Sequence, residues 1–336
     1  MKRYISIIFL ALSLCTCSSY KSINIDILRP AAYTFPKGTQ SIVLLNNADE
    51  QSTMVGHYSY KQDMTTAYES KRKKISDDYV NVDSTTTMAL YNMSNKLNEI
   101  NIFPPIKVGR FENTPKINNN NIIKYFDQYK TDAIIVLEDV SYIDEFTKLY
   151  YSYFNVVEEE LKVTSATRWK IYNKDKNISY YTYEQLDTIY WTAQNINREV
   201  CIQEAIWENA AKASNHIIPY WITVNRVFFT GSGFIYNDIE KKVSKNQWED
   251  AAKYWMQIYN GENKNTITKG RMAYNMALFF ELKNNIPSAI EWINTASNIF
   301  KENNDKAKDE ISICNTYNGI LYKRTKMQKQ LEEQYN

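Results

Sequence analysis

The chain has 336 residues, with 40 Lys and Arg against 38 Asp and Glu and a formal net charge of +2. Because basic and acidic residues are nearly equal in number, the chain lacks the excess of basic charge that nucleic-acid affinity requires. We therefore expect no nucleic-acid partner. With 8 glycines and 2 histidines, the sequence has neither of the Gly-rich phosphate-binding motifs and too few histidines for a His-rich metal site. We therefore predict no cofactor and no metal.

The first segment has the pattern of a secretory signal. Lys2 and Arg3 precede an apolar stretch over residues 5–14. This stretch is too short to remain in a bilayer as a spanning helix, which needs about 20 apolar residues. We predict a signal peptide over residues 1–16 and exclude it from the fold. Loss of Lys2 and Arg3 with the signal leaves the mature chain formally neutral.

The end of this signal resembles a bacterial lipobox, because Leu14 stands three residues before Cys17 with small residues between. The resemblance implies cleavage before Cys17, lipidation of that cysteine and a tether over residues 17–22. Acyl chains bury methylene groups at about 0.8 kcal/mol each, so several chains hold a protein at a membrane. Neither Asp nor an acidic cluster follows Cys17 directly, which favours the periplasmic face of the outer membrane. An ordinary cleaved signal with incidental cysteines is the alternative.

Residues 23–233 have the pattern of an α/β domain. Strands are predicted at 23–28, 41–46, 106–111, 132–137, 161–172, 178–184 and 222–229, and helices over 84–100, 121–130 and 198–214. Helix and strand alternate in the first part, which is typical of a parallel α/β arrangement. The long alternating strand at 161–172 has one polar face, which indicates antiparallel pairing and hence a mixed sheet. The polar segment 47–83 is predicted to be a long loop with a little helix.

Residues 234–336 are predicted to be α-helical. An Ala-x-x-Trp pattern at Ala252 and Trp255 recurs at Ala289 and Trp292, 37 residues later. Tetratricopeptide repeats have a period of about 34 residues, so we predict tetratricopeptide-like repeats closed by a capping helix over 311–330. A plain helical bundle is the alternative. The fold class is therefore predicted to be α+β. The candidate partner-binding residues of the repeats are Trp248, Trp255, Tyr274 and Trp292.

The order of elements resembles a known α/β domain, with a step from Tyr129 to Val136 and a wide hairpin from Thr164 to Tyr183. That domain is shared by the curli-secretion lipoprotein, the N-terminal domain of TolB and lipoprotein activators of penicillin-binding proteins. The whole arrangement is similar to an uncharacterised family of Bacteroidetes outer-membrane lipoproteins with C-terminal tetratricopeptide repeats. The resemblance implies location and fold, and it carries over no catalytic residue.

We expect a non-enzymatic lipoprotein that binds or scaffolds a partner protein at the outer membrane through its repeats or its α/β domain. The alternative is an envelope glycan hydrolase, since two carboxylates suffice for that chemistry. Its candidate residues follow a buried strand and are read as loop residues: Glu138, Asp139, Asp144 and Glu145. An aromatic run over residues 150–154 is interpreted either as interface anchors or as packing.

Cysteine usage leaves one question open. Beyond the predicted anchor, only Cys201 and Cys314 remain, about 110 residues apart. They could pair in an oxidising compartment. The sequence favours two separate buried thiols, because nothing in it brings the two residues together.

Overall fold

The computed structural model describes residues 20–48, 55–63, 73–74, 80–99, 107–108, 116–174, 180–193, 195–262 and 265–335. The chain divides into two compact units. The first, here called the helical unit, combines Met1–Arg29 with Trp221–Glu332. The second, here called the sheet unit, comprises Pro30–Tyr220 and Glu333–Asn336. Together they give the protein an α+β fold with a mixed sheet.

Within the described residues, the sheet unit has seven strands. They are β2 (Ser41–Asn46), β3 (Val55–Asp63), β4 (Lys73–Lys74), β5 (Lys107–Val108), β6 (Ala133–Tyr151), β7 (Val156–Asn173) and β8 (Tyr180–Ala193). Strands β2 and β3 both pair with β6 in parallel, and β5 pairs with β2 in parallel. Strands β6, β7 and β8 form an antiparallel ribbon, and β4 pairs antiparallel with β3. The sheet is therefore mixed, as predicted.

Strands β2 and β3 share one edge of β6. Strand β2 covers residues 133–137 of β6, and β3 covers residues 142–150. The ladder between β6 and β7 shifts register between Leu137 and Asp139, so Glu138 lies at a bulge. The bulge falls in the gap between the two parallel neighbours, where the amide of Asn47 donates to the carbonyl of Leu137 at 2.8 Å.

The apolar residues of β2 alternate between two cores. Ile42 and Leu44 belong to the larger core, and Val43 and Leu45 belong to the smaller one. Helices α1 (Val82–Glu99) and α3 (Arg198–Ala213) cover the larger core, and α2 (Ile122–Tyr129) covers the smaller one. A strand with helices on both faces is buried on both sides, which explains its continuous apolar run.

One polar network ties β7 to α3 within the larger core. Thr167 donates to the side chain of the fully buried Asn209 at 2.6 Å, and Trp169 Nε1 donates to Thr167 at 2.8 Å. The amide of Asn209 donates in turn to the carbonyls of Ser165 and Gln185 at 2.9 and 3.0 Å. Each polar group thus has a partner, which is what burial of such groups requires.

In the described part of the helical unit, five α-helices pack against a two-stranded sheet. Its strands are β1 (Tyr20–Arg29) and β9 (Tyr220–Phe229), and they pair with each other. Its helices are α4 (Phe234–Ser244), α5 (Trp248–Asn260), α6 (Thr266–Leu282), α7 (Ile286–Glu302) and α8 (Lys308–Tyr335). Ile25 and Ile27 of β1 lie in one core with Trp255 of α5. The apolar face of each strand is thus buried against helices.

Close approach of helices needs small residues at α6. A Cβ added to Gly270 would lie 2.5 Å from the ring of Phe300 on α7, so the packing depends on this glycine.

Asn275 of α6 is fully buried and forms hydrogen bonds with the end of β9. Its side chain accepts from the amide of Phe229 and donates to the carbonyl of Phe229, both at 2.7 Å.

The two compact units divide the chain after Arg29 and after Tyr220, whereas the sequence predicts a boundary at residue 233. The segments 23–28 and 222–229 are strands, as predicted, but they belong to the helical unit and not to the sheet unit. The physical reason is that their buried side chains, Ile25, Ile27 and Phe228, pack with residues of α4, α5 and α6. Helix α4 adds an element that the sequence analysis did not specify.

The prediction of a loop over 47–83 is also wrong in part. Strands β3 and β4 lie in this segment. Residues 49–54, 64–72 and 75–79 lie outside the described residues. The acidic stretch after residue 137 is not a loop either, because β6 continues to Tyr151. The predicted strand at 41–46 and the predicted helices α1, α2 and α3 are confirmed within one to two residues at each end.

Cys201 and Cys314 are free and buried, which confirms two separate thiols. Burial raises the pKa of the Cys314 thiol to about 12, so this group stays protonated at neutral pH. Across the residues that the structure describes, each helix is too short or too polar to cross a membrane.

A single carboxylate fixes the start of β2 to the start of β6. One oxygen of Asp132 accepts hydrogen bonds from the backbone amides of Gln40 and Ser41 and from the Ser41 hydroxyl, each at 2.9 Å. Partial burial would raise the pKa of Asp132, but the hydrogen bonds from Gln40 and Ser41 outweigh it and hold the pKa below its usual value. The ionised form is therefore the one that the folded state binds.

We expect Asp132→Asn to lower the free energy of unfolding at pH 7 by about 1–2 kcal/mol, since bonds to a charged acceptor are stronger than neutral ones. A carboxyl group whose pKa is lower in the folded state stabilises the fold at pH values above its unfolded-state pKa of about 3.9. This stabilisation is lost as the pH falls through the folded-state pKa. The difference between parent and variant should therefore shrink below about pH 4. Urea denaturation across pH measures it, with the exposed Asp127→Asn as control. A pH-independent difference would contradict the assignment.

Candidate functional site

Two of the four predicted partner-binding residues are unavailable to a partner. Trp255 and Tyr274 are buried and lie in the cores of the helical unit. Burial also raises the pKa of Tyr274 far above its usual value. The prediction for these two residues is wrong because both side chains pack between the helices of this unit.

The other two residues lie partly at the surface. Trp248 and Trp292 are half-buried, and Trp292 packs edge-to-face against Tyr259 with ring centroids 5.2 Å apart. Apolar side chains at the start of α4 are more exposed, with Phe234 at 86% and Ile235 at 50%. The predicted lipidation residue Cys17 lies outside the described residues.

The candidate carboxylates of the hydrolase alternative lie on β6. Glu145 is paired with Lys162 at 2.9 Å, and Glu138 accepts from the side-chain amide (Nδ2) of Asn47 at 3.2 Å. Asp144 and Glu145 are neighbours in a strand, so their side chains leave opposite faces of the sheet. A pair of glycosidase carboxylates must instead face one another at about 5–10 Å across a substrate.

Asp144 forms a buried ion cluster with two residues from other elements. Its Oδ1 lies 2.5 Å from His57 Nδ1 of β3, and its Oδ2 is paired with Arg198 Nε at the start of α3. Arg198 also donates to the carbonyl of Tyr58 at 3.1 Å. The Asp144 side chain has no solvent exposure, and that of His57 has 7%. A carboxylate at such depth is stabilised only by charged partners.

The cluster contains an acid and an imidazole, as a nucleophilic triad does, but the described residues place no nucleophile at the imidazole. His57 Nε2 is buried and has no hydrogen-bond partner among the described residues. The ring packs edge-on near Tyr142, with centroids 5.7 Å apart. A general base must reach the proton it abstracts, and burial of both Asp144 and His57 closes that route. The arrangement is therefore suited to joining β3, β6 and α3.

The sequence analysis missed this cluster because its members look like loop residues. His57 falls in a polar segment and Asp144 in an acidic one. A usable signal was the alternation Val140, Tyr142, Asp144 on one face of β6, all of which are buried. A charged residue at the third inward position broke the apolar pattern.

A second buried carboxylate lies in the helical unit. Glu281 of α6 accepts two hydrogen bonds from Arg226 of β9, both at 2.8 Å, and one from Tyr317 of α8 at 2.8 Å. Arg324 lies 3.8 Å away. Burial raises the pKa of Tyr317, which therefore remains a hydrogen-bond donor. This cluster joins three elements in the same manner as Asp144.

The turn between β6 and β7 carries the aromatic run. We call residues 149–157 the hairpin tip. Tyr153 is 85% exposed and Phe154 is 68% exposed, and their rings contact edge-to-face at 5.2 Å. Val156 and Val157 are exposed at 40% and 41%. The tip thus presents apolar side chains to solvent, which excludes the interpretation of its exposed residues as core packing.

Metal chemistry has no support in the described part of the chain, where no group of three or more His, Cys, Asp or Glu side chains is placed to hold an ion.

The fold and these surfaces define a two-unit α+β protein, and comparisons with known proteins place it in a family. A family model described as a domain of unknown function (DUF8603) matches residues 39–229, which is more than half of the chain, and the chain belongs to this family. A second family model, described as a domain of unknown function (DUF6340), matches residues 237–323. A search of curated proteins found no match.

A solved structure shows a distant likeness. The crystal structure of protein XCC0632 from Xanthomonas campestris, of family DUF330, is 9% identical and aligns over 56% of this chain and 91% of that chain, with a TM-score of 0.22. At this TM-score the likeness supports no statement about fold or function.

We expect Asp144→Ala to cost about 3–5 kcal/mol of unfolding free energy, because it leaves the buried partners of the carboxylate uncompensated. Combining Asp144→Leu with Arg198→Met should recover part of the loss, since an apolar replacement removes the unpaired charge. Urea denaturation followed by circular dichroism measures both. Glu184→Ala, which breaks an exposed pair with Arg168, is the control and should cost less than about 1 kcal/mol. Equal costs for Asp144→Ala and the control would contradict the structural role.

Proposed function

We propose that this protein is a lipid-anchored lipoprotein of the outer membrane that binds or scaffolds a partner protein. The observation that carries the proposal is the set of apolar side chains at the surface of the helical unit: Phe234, Ile235, Trp248 and Trp292. Exposed and half-buried aromatic residues are typical anchors of protein interfaces. We place the protein on the periplasmic face, held by lipids on Cys17.

The finer fold assignment belongs to the same proposal. Helices α5 and α6 pack together, as do α6 and α7, and α5 and α7 start 38 residues apart. This spacing is close to the period of about 34 residues of tetratricopeptide repeats. We assign α5–α8 to two tetratricopeptide-like pairs and the sheet unit to the domain shared by TolB and the curli-secretion lipoprotein.

The carboxylate-dependent hydrolase has less support. Asp144 is enclosed by His57 and Arg198, and Glu145 is paired with Lys162. Two carboxylates on adjacent strand positions leave opposite faces of a sheet, so they do not flank one glycosidic bond. We therefore propose no catalytic residue, and we propose that the protein is not an enzyme.

A photoreactive phenylalanine analogue placed at Trp248 or Trp292 tests the binding role. In intact envelopes, we expect each position to give the same discrete crosslinked partner, because both lie on the proposed interface. The control position is Ile123 on α2, which is 55% exposed and belongs to the sheet unit. The same products from Ile123, or none from either tryptophan, would move the interface away from the helical unit.

The anchor is tested by Cys17→Ala, with Cys15→Ala as the matched control. We expect Cys17→Ala to lose incorporation of labelled fatty acid and to leave the carbonate-washed membrane fraction, since acyl chains supply the membrane affinity. Cys15→Ala should retain both properties. Continued acylation of Cys17→Ala would show that the cysteine assignment is wrong.

A further inference from the structure

The hairpin tip combines three properties that suit a contact with an apolar phase. It is aromatic and exposed, as Tyr153 and Phe154 show. Its nine residues, 149–157, carry no charged side chain. Its turn also lies past the last described pairs of the neighbouring strands, which are Asp63 of β3 with Tyr150 and Ala193 of β8 with Glu159. Among the described residues, only β6 and β7 continue to the turn.

Part of the backbone of the tip is hydrogen-bonded within the hairpin itself. The ladder between β6 and β7 runs to the pair Tyr151 and Val156. Within the turn, the amide of Phe154 donates to the carbonyl of Tyr151 at 2.9 Å, and that of Asn155 to Ser152 at 3.4 Å. Backbone polar groups without partners are the main cost of moving a chain into lipid. The hydrogen bonds of Phe154 and Asn155 lower that cost at the turn.

The position of the first charges sets the depth that the tip can reach. Lys148 and the glutamates 158–160 follow directly on either side, and Lys148 pairs with Glu159 at 3.0 Å. Lys148 and Tyr151 are three residue steps apart along the strand, a distance of about 10 Å. The headgroup region of one leaflet is about 5–8 Å thick, against about 30 Å for the hydrocarbon core. The tip can therefore enter the interface and cannot span the bilayer.

We propose that the hairpin tip inserts into the headgroup region of a phospholipid bilayer, as a membrane contact separate from the lipid anchor. Tyr and Phe are suited to this position because their rings are apolar and the tyrosine hydroxyl stays hydrated. The adjacent charges are three Glu against one Lys, so the contact gains nothing from anionic lipid. A protein partner on the same residues is the competing occupant, and the measurement below distinguishes it.

The test measures the depth of a nitroxide label at Ser152→Cys in the full chain, reconstituted into phosphatidylcholine vesicles. We expect a ratio of oxygen to nickel-chelate accessibility several-fold higher than at Tyr180→Cys, the matched control. Tyr180 is also exposed and begins β8 at the opposite end of the ribbon. Cys201 and Cys314 are buried and free, and the labelled parent chain gives their background. Replacing a quarter of the lipid with phosphatidylglycerol should not raise the ratio.

Two variants test the chemistry of the contact. Tyr153→Ser with Phe154→Ser should return the label at Ser152→Cys to the value in water, whereas Tyr153→Phe with Phe154→Tyr should keep it in lipid. Equal accessibility ratios at the two labelled positions would overturn the proposal. A label at the tip that is shielded from both oxygen and the nickel chelate in the absence of vesicles would also overturn it, because that result indicates a protein contact. The label reports on the tip itself, so a failure of this contact differs from a failure of acylation at Cys17.

Discussion

One edge of β6 carries two successive strands, and the sheet unit depends on this constraint. Strand β2 ends opposite Leu137, and β3 begins opposite Tyr142 in the same direction. The two strands therefore act as one interrupted strand, with the bulge at Glu138 in the interruption. Since β7 pairs with the other edge throughout, the 19 residues of β6 hold the parallel and antiparallel halves of the sheet together. A strand of that length greatly exceeds the usual 5–6 or so residues.

Buried charge occurs at long-range junctions in both units. Asp144 joins β6 to β3 and α3, and Glu281 joins α6 to β9 and α8. An ion pair at such depth adds little net stability over apolar packing, but removal of one partner is costly. Each cluster therefore penalises any alternative packing that separates its members. Asn275, whose amide bonds both backbone groups of Phe229, has the same effect with neutral groups.

The sequence predicts those parts of the fold in which periodicity and burial agree. Strand β2 and the start of β6 are apolar on both faces, and β7 alternates cleanly, so each could be recognised locally. Strand β3 and the second half of β6 could not be recognised in this way. Their inward positions include His57 and Asp144, which pair with each other in the fold but have the sequence character of surface residues. Strand β1 was recognised, but its partner β9 lies about 200 residues away. No local pattern reveals such a pairing, so the sequence does not assign these two strands to the helical unit.

The helical unit is discontinuous, and this has a consequence for the order of events during biosynthesis. Strand β1 is made first, yet β9 and the helices that cover its apolar face follow only after the 191 residues of Pro30–Tyr220. At about 5–20 residues per second, synthesis leaves β1 without its partner for about 10–40 seconds. An uncovered alternating strand is a template for aggregation. Protection of the nascent N-terminus is therefore a requirement that this chain places on its host.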